Sequence, residues 1–133
     1  MVKNFVNVPE KWKAGRLSCL AYWFPHWLAV NVVAVAHHCW SPRFLLHDAD
    51  KPWKLFVLGR DYDSVKKEHQ LQAHHLSREK LQEGKADLVQ AACDWQASGY
   101  TKPDSLLDAR ETLEAYHSYA NDAMLPVLDR YGF

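Results

Sequence analysis

Glycine is scarce in this chain, five in 133 residues, and runs of alternating β-branched residues are nearly absent. Most segments instead repeat apolar residues every three to four positions, the spacing of helices. Cysteine is also sparse. The three, Cys19, Cys39 and Cys93, are an odd number, lie far apart and form no C-x-x-C, which excludes a disulfide framework and a cysteine zinc site. Each reads as a small buried apolar residue. An excess of charge is missing too: 16 basic residues balance 16 acidic ones, without the basic footprint of a dedicated nucleic-acid binder. The longest mostly apolar run, Trp27 to Ala36, holds Asn31 and falls short of the roughly twenty residues a membrane span needs. The N-terminal MVKNFVNVPEKWK lacks the apolar segment of a secretory signal. The expectation is one domain over residues 1–133, soluble and cytoplasmic. Hydrophobic residues at 48% and charged residues at 24% argue against disorder.

What the chain does have is histidine. There are eight, with two His-His pairs, alongside six tryptophans. Histidine is the commonest metal ligand and the usual acid-base group near neutral pH. The tryptophans are expected in the core, with stacking on a base as the alternative.

The periodicity predicts an all-α, single-domain bundle of about six or seven helices. A first helix over Pro9–Phe24 is interrupted by Pro25. A second, from Pro25 to Cys39, is apolar on nearly all sides and should be the central, most buried one. Ser41-Pro42 has the form of a cap with proline at the first helical position, opening a helix through PRFLLHDADK that Pro52 ends. After an irregular stretch, Asp63 or Ser64 caps a long polar helix to Gly84. Further helices are expected over Lys85–Ala97, with a stop at Ser98-Gly99, from Asp104 or Ser105 to Ala120, and from Asn121 to Tyr131.

His47-Asp48 follows Phe44-Leu45-Leu46, an apolar run that would anchor the pair. On a helix, Lys51 shares a face with both. Alone, the stretch is also consistent with a local Asp–Lys pair and a half-buried histidine. His26 lies 21 residues upstream of His47. Asp94, set among Ala91, Ala92, Cys93 and Trp95, is a carboxylate in apolar company that needs a partner. His69, His74 and His75 fall between on one predicted helix, where His69 and His75 point in different directions unless the helix breaks. His37 and His38 also precede the doublet; they suit a helix C-terminus. Arg43, Lys54 and Arg60 could meet a phosphate or be ordinary solvated charges. His117 is expected at the surface, and Asp108, Glu111 and Glu114 on a solvated helix face.

A histidine, then His-Asp with a lysine three positions on (His47-Asp48-Ala49-Asp50-Lys51), further histidines and a distant aspartate, all on helices, resembles the HD-domain superfamily of metal-dependent phosphohydrolases. SPRFLLHDADK, the earlier histidine, the later His-His pair and the Asp-Trp helix look like a small HD-like family of bacteria and phages. The resemblance covers roughly Pro25 to Gly99. It implies His26, His47, Asp48 and Asp94 as ligands of a metal, with a second ion drawn from His69, His74 and His75. It also implies Lys51 beside a substrate phosphate or Asp48.

Histidine–carboxylate ligands suit Mn, Fe, Co, Ni or Zn as a divalent cofactor, with one ion expected rather than two. Asp48 or a nearby histidine such as His75 would take a proton, and Lys51 would offset phosphoryl charge. The reading is a phosphohydrolase acting on a nucleotide or other small phosphate ester, with no nucleic-acid or membrane partner and room for a homodimer. Two alternatives stand beside it: an HD-fold di-iron oxygenase, and an HD-like binding module without turnover.

Overall fold

The computed structural model describes residues 16–54, 58–59, 62–69, 71–101 and 107–133, and among them every regular element is helical. In chain order these are α1 (Arg16–Ala36), a 3₁₀ turn (Pro42–Leu46), the single-turn α2 (Asp50–Pro52), α3 (Tyr62–His69) and α4 (Arg78–Glu83). Then follow α5 (Leu88–Thr101), α6 (Ala109–Tyr116), a second 3₁₀ turn (Ser118–Ala120) and α7 (Asn121–Tyr131). The all-α bundle expected from the periodicity is present. The expected helix start at Pro9 and the caps at Asp104 or Ser105 lie outside the described residues.

Several boundaries differ from expectation, each for a physical reason. Pro25 does not interrupt: α1 runs through it for 21 residues. Proline removes one backbone hydrogen bond, but the residues that follow, Ala29, Val30, Val33 and Ala34, are buried and hold the helix in place by packing. The helix expected through Lys51 is split. Phe44 O accepts from His47 N–H at 3.2 Å, a three-residue closure, and also from the Asn31 amide at 3.0 Å. The backbone then turns through Asp48 at φ 55°, in the left-handed region, before α2. His47 and Asp48 therefore precede α2, in which Lys51 lies, and the three do not fall on one continuous helix.

The long polar helix to Gly84 is two helices. α3 ends at His69, the chain turns over 71–75, and Ser77 caps α4 by accepting from Lys80 N–H at 3.2 Å. Gly84 closes α4 at φ 69°, as its position predicts. At Ser98-Gly99, α5 does not stop but continues to Thr101, and its last residues are buried. Asp108 is not on a solvated face; it is the N-cap of α6, accepting from Glu111 N–H at 2.8 Å.

The centre of the bundle is α5, not α1. One apolar cluster joins Ala29, Val30, Val33, Ala34 and Phe44 to Cys93, Ala97 and Tyr100 of α5. A second joins Ala91, Ala92 and Trp95 of the same helix to Ala109, Leu113, Ala120, Met124 and Leu128. From Trp23 on, α1 is largely apolar yet buries one side only; Phe24, Leu28, Val32 and Val35 are exposed. Of the tryptophans expected in the core, Trp95 is buried, Trp40 and Trp53 are exposed, and Trp12 lies outside the described residues. The anchoring of the doublet rests on Phe44 alone, since Leu45 and Leu46 are exposed. Full burial of one such ring is worth about 2–3 kcal/mol.

Candidate metal centre

Four elements converge on one buried group of histidines and carboxylates. α1 supplies His26, the turn after Phe44 supplies His47 and Asp48, the end of α3 and the turn beyond it supply His69, His74 and His75, and α5 supplies Asp94. His26, His47, Asp48, His69 and His74 are all buried. The imidazoles of His26 and His47 both donate from Nε2 to Asp94 Oδ1, at 2.7 and 3.1 Å. Their Nε2 atoms are 3.4 Å apart. Asp48 Oδ1 lies 2.9 Å from His69 Nε2, 3.0 Å from His74 Nε2 and 3.5 Å from His47 Nε2, while its Oδ2 is 3.7 Å from His26 Nε2.

The donor atoms fall into two groups, each within 4.8 Å: His26, His47, Asp48 and Asp94, and Asp48, His69, His74 and His75. Asp48 belongs to both. Its left-handed backbone lies at the break between the 3₁₀ turn and α2, and its carboxylate lies between the two sets. The break after His69 removes the geometric objection to His69 and His75 sharing a site, because the turn over 71–75 brings His74 and His75 back beside it. Ring centroids of His69 and His75 are 4.6 Å apart.

The donor set could hold a metal ion. Mixed imidazole and carboxylate oxygen is the chemistry transition metal ions take. His75 Nε2 is buried and has no hydrogen-bond partner among the described residues, a condition native proteins avoid unless the atom has another role. The remote nitrogens are held as ligand histidines usually are. His47 Nδ1 donates to Gln90 Oε1 at 2.7 Å and His69 Nδ1 to Asp50 at 3.0 Å, with a longer 3.5 Å contact from His26 Nδ1 to Thr101 Oγ1.

Burial acts against the charged form of His47, but the carboxylates of Asp48 and Asp94 outweigh it and raise its pKa to about 9. Burial would likewise raise Asp94; the hydrogen bonds from His26 and His47 prevail and hold it well below the usual carboxylate range. His26 is lowered by burial, against the pull of Asp94. Burial lowers His75 to about 3, with Asp94 and Asp48 opposing. Asp50 is lowered, its burial outweighed by the hydrogen bond from His69.

Of the histidines upstream of the doublet, His26 joins the group. His37 is elsewhere, with Nδ1 donating to Tyr131 O at 2.7 Å and its ring stacked on Phe133, and His38 is exposed at φ 58° past the end of α1. The side chain of Lys51 and all of Arg60 lie outside the described residues. Arg43 faces no open phosphate position: it binds Asp87 at 2.7 Å. Lys54 pairs with Glu68 at 2.8 Å and approaches Asp50 at 3.9 Å. His117 is not a bare surface histidine; it stacks on Trp95. Sequence reasoning passed over Gln90, Asp87, Asp50 and Thr101. The signal for the first two was present as Asp87-Leu-Val-Gln90, an acid and a glutamine at capping spacing ahead of an apolar run.

Comparison of the chain with protein-family models, curated proteins and solved structures finds no match.

Proposed function

We propose that the protein is a metal-dependent phosphohydrolase acting on a small phosphate ester, a nucleotide included. The observation that carries this reading is the pair of four-residue histidine–carboxylate groups joined through Asp48. His26, His47, Asp48 and Asp94 would hold one divalent ion, and Asp48, His69, His74 and His75 would offer a place for a second. Such ions lower the pKa of a coordinated water and polarise a phosphoryl oxygen.

The chain's own contribution follows from its geometry. Asp48 bridges, so its charge is shared between both groups. Asp94 and His75 are the least buried members and form the rim of the site. His75, kept neutral by burial, offers its unpartnered Nε2 to an ion rather than to a proton. The resemblance adds Lys51, three residues from Asp48, as a cation for phosphoryl charge.

Burial of the remaining donors favours a second reading, a metal-holding HD-like module without turnover. Elemental analysis of the purified protein separates the cases, followed by assays on a panel of nucleotides and phosphate esters with Mn²⁺, Fe²⁺, Co²⁺, Ni²⁺ or Zn²⁺. About two equivalents of metal with phosphate release supports the hydrolase. Metal without release supports the module. Bound iron with O₂ uptake points to the oxygenase. No metal after incubation removes the centre itself.

A further inference from the structure

Gln90 lies in the first turn of α5 and is buried. Its side chain is held at both ends. Nε2 donates to Asp87 Oδ2 at 3.0 Å, and Oε1 faces His47 Nδ1 at 2.7 Å. Asp87 is fixed in turn. It accepts from Arg43 Nε at 2.7 Å and Nη2 at 3.2 Å, and its Oδ1 caps α5 by accepting from Gln90 N–H at 3.0 Å. The Arg43 hydrogen bond keeps the Asp87 carboxyl ionised, against its burial.

These contacts remove the ambiguity that usually attends an amide and an imidazole. An ionised carboxylate only accepts, so the NH₂ of Gln90 must face Asp87. The amide oxygen must then face His47. An oxygen only accepts, so His47 Nδ1 must carry a proton. The nitrogen left to give up its proton and bind a cation is Nε2, which faces Asp94, His26 and Asp48.

We propose that Gln90 is the positioning residue of His47: held by Asp87 and through it by Arg43, its amide oxygen keeps the proton on Nδ1 and commits Nε2 to a divalent cation. The usual capping pattern has the glutamine reach back to the backbone. Here it reaches sideways, so the start of α5 and the orientation of a ligand are one structure. This rests on the metal-binding reading above for its consequence, though not for the contact itself.

The test is titration of the metal-free protein with Zn²⁺, and with Co²⁺ read by its visible absorption. Replacing the outer partner of a ligand histidine weakens metal binding by about 10–100-fold. Gln90→Leu should lose about that much at the group containing His26, His47 and Asp94, while the ion beside His69, His74 and His75 remains. A residue that only stabilised the fold would weaken both alike. The exchanged pair Asp87→Asn with Gln90→Glu again sets an acceptor against His47 Nδ1 and a donor behind it, at the loss of the Arg43 Nε bond to the same Asp87 oxygen, so it should recover part of the loss. Gln90→Glu alone sets two carboxylates against each other and should not.

Wild-type affinity in Gln90→Leu, or an exchanged pair no better than Gln90→Glu alone, overturns the proposal while leaving the metal centre standing. If the wild-type protein binds no ion, ¹H–¹⁵N spectra of the metal-free protein still decide the contact. A slowly exchanging His47 Nδ1–H in the wild type, lost in Gln90→Leu, sustains it. The same exchange rate in both ends it.

Discussion

At the residue scale, Asp48 is the most constrained position. It contacts histidines from both groups, and its backbone at φ 55° is one that aspartate and asparagine accept more readily than other side chains. Asp48→Asn keeps the conformation and loses the charge; Asp48→Ala loses both. Both variants should lose metal in elemental analysis. Chemical denaturation of the metal-free forms should show Asp48→Ala the less stable by about 1 kcal/mol.

His47 pulls the pH dependence of the metal-free protein one way, and His75, with His26 in the same direction, the other. His47 has its folded pKa raised from 6.5 to about 9. Its contribution is full below pH 6.5 and is lost as the pH rises to about 9. His75 is lowered from 6.5 to about 3. Below pH 6.5 the unfolded chain takes up a proton that the folded site refuses, so stability falls toward pH 3. Metal-free thermal stability should therefore peak near pH 6.5. His75→Gln should flatten the acid side of that curve; an unchanged acid side in thermal melts across pH would contradict the assignment.

At the scale of elements, the turn over 71–75 is the piece that makes a second group geometrically available. Lys80 of α4 holds it, donating to Gln72 O at 2.7 Å and His75 O at 2.5 Å. Lys80→Met should cost about 1–2 kcal/mol. It should also weaken metal binding at His69, His74 and His75 more than at His26, His47 and Asp94, as isothermal titration would show.

Reading the sequence located the candidate residues better than the elements that carry them. His26, His47, Asp48 and Asp94 stand out because histidine and buried aspartate are chemically conspicuous wherever they sit. The breaks at His47–Asp48 and after His69 are not conspicuous. They depend on what the backbone meets in space: the Asn31 amide on Phe44 O, and the Lys80 ammonium on the carbonyls of the turn. Helical spacing continues through both breaks, so periodicity alone reads one helix in each case. Outer contacts such as Gln90 to His47, 43 residues apart, have no local signature beyond the capping pair.

At the scale of the whole molecule, hydrophobic content misled about position. α1 carries no charged residue after Arg16, yet the bundle covers one side of it and leaves Phe24, Leu28, Val32 and Val35 exposed. The shorter α5, with Gln90, Asp94, Gln96 and Thr101 along it, takes the centre, because each of its polar groups finds a partner: His47, His26, the Ala109 N–H and the Ala97 carbonyl. Burial followed satisfied hydrogen bonds as much as apolar count.

The site draws on four segments between residues 26 and 94, and no two adjacent helices contain it. In an unfolded chain those donors are scattered, so an ion that binds them binds the folded state alone. It would act as a removable cross-link across the bundle, comparable to a disulfide; the Cys39 and Cys93 sulfurs, far apart in sequence, lie 3.5 Å from each other without being bonded. At a hundredfold excess over its dissociation constant, one such ion adds about 2.7 kcal/mol, a rise of roughly 10 °C in melting temperature. A chelator should reverse it. Metal supply would then govern how much folded protein persists, as well as what that protein does.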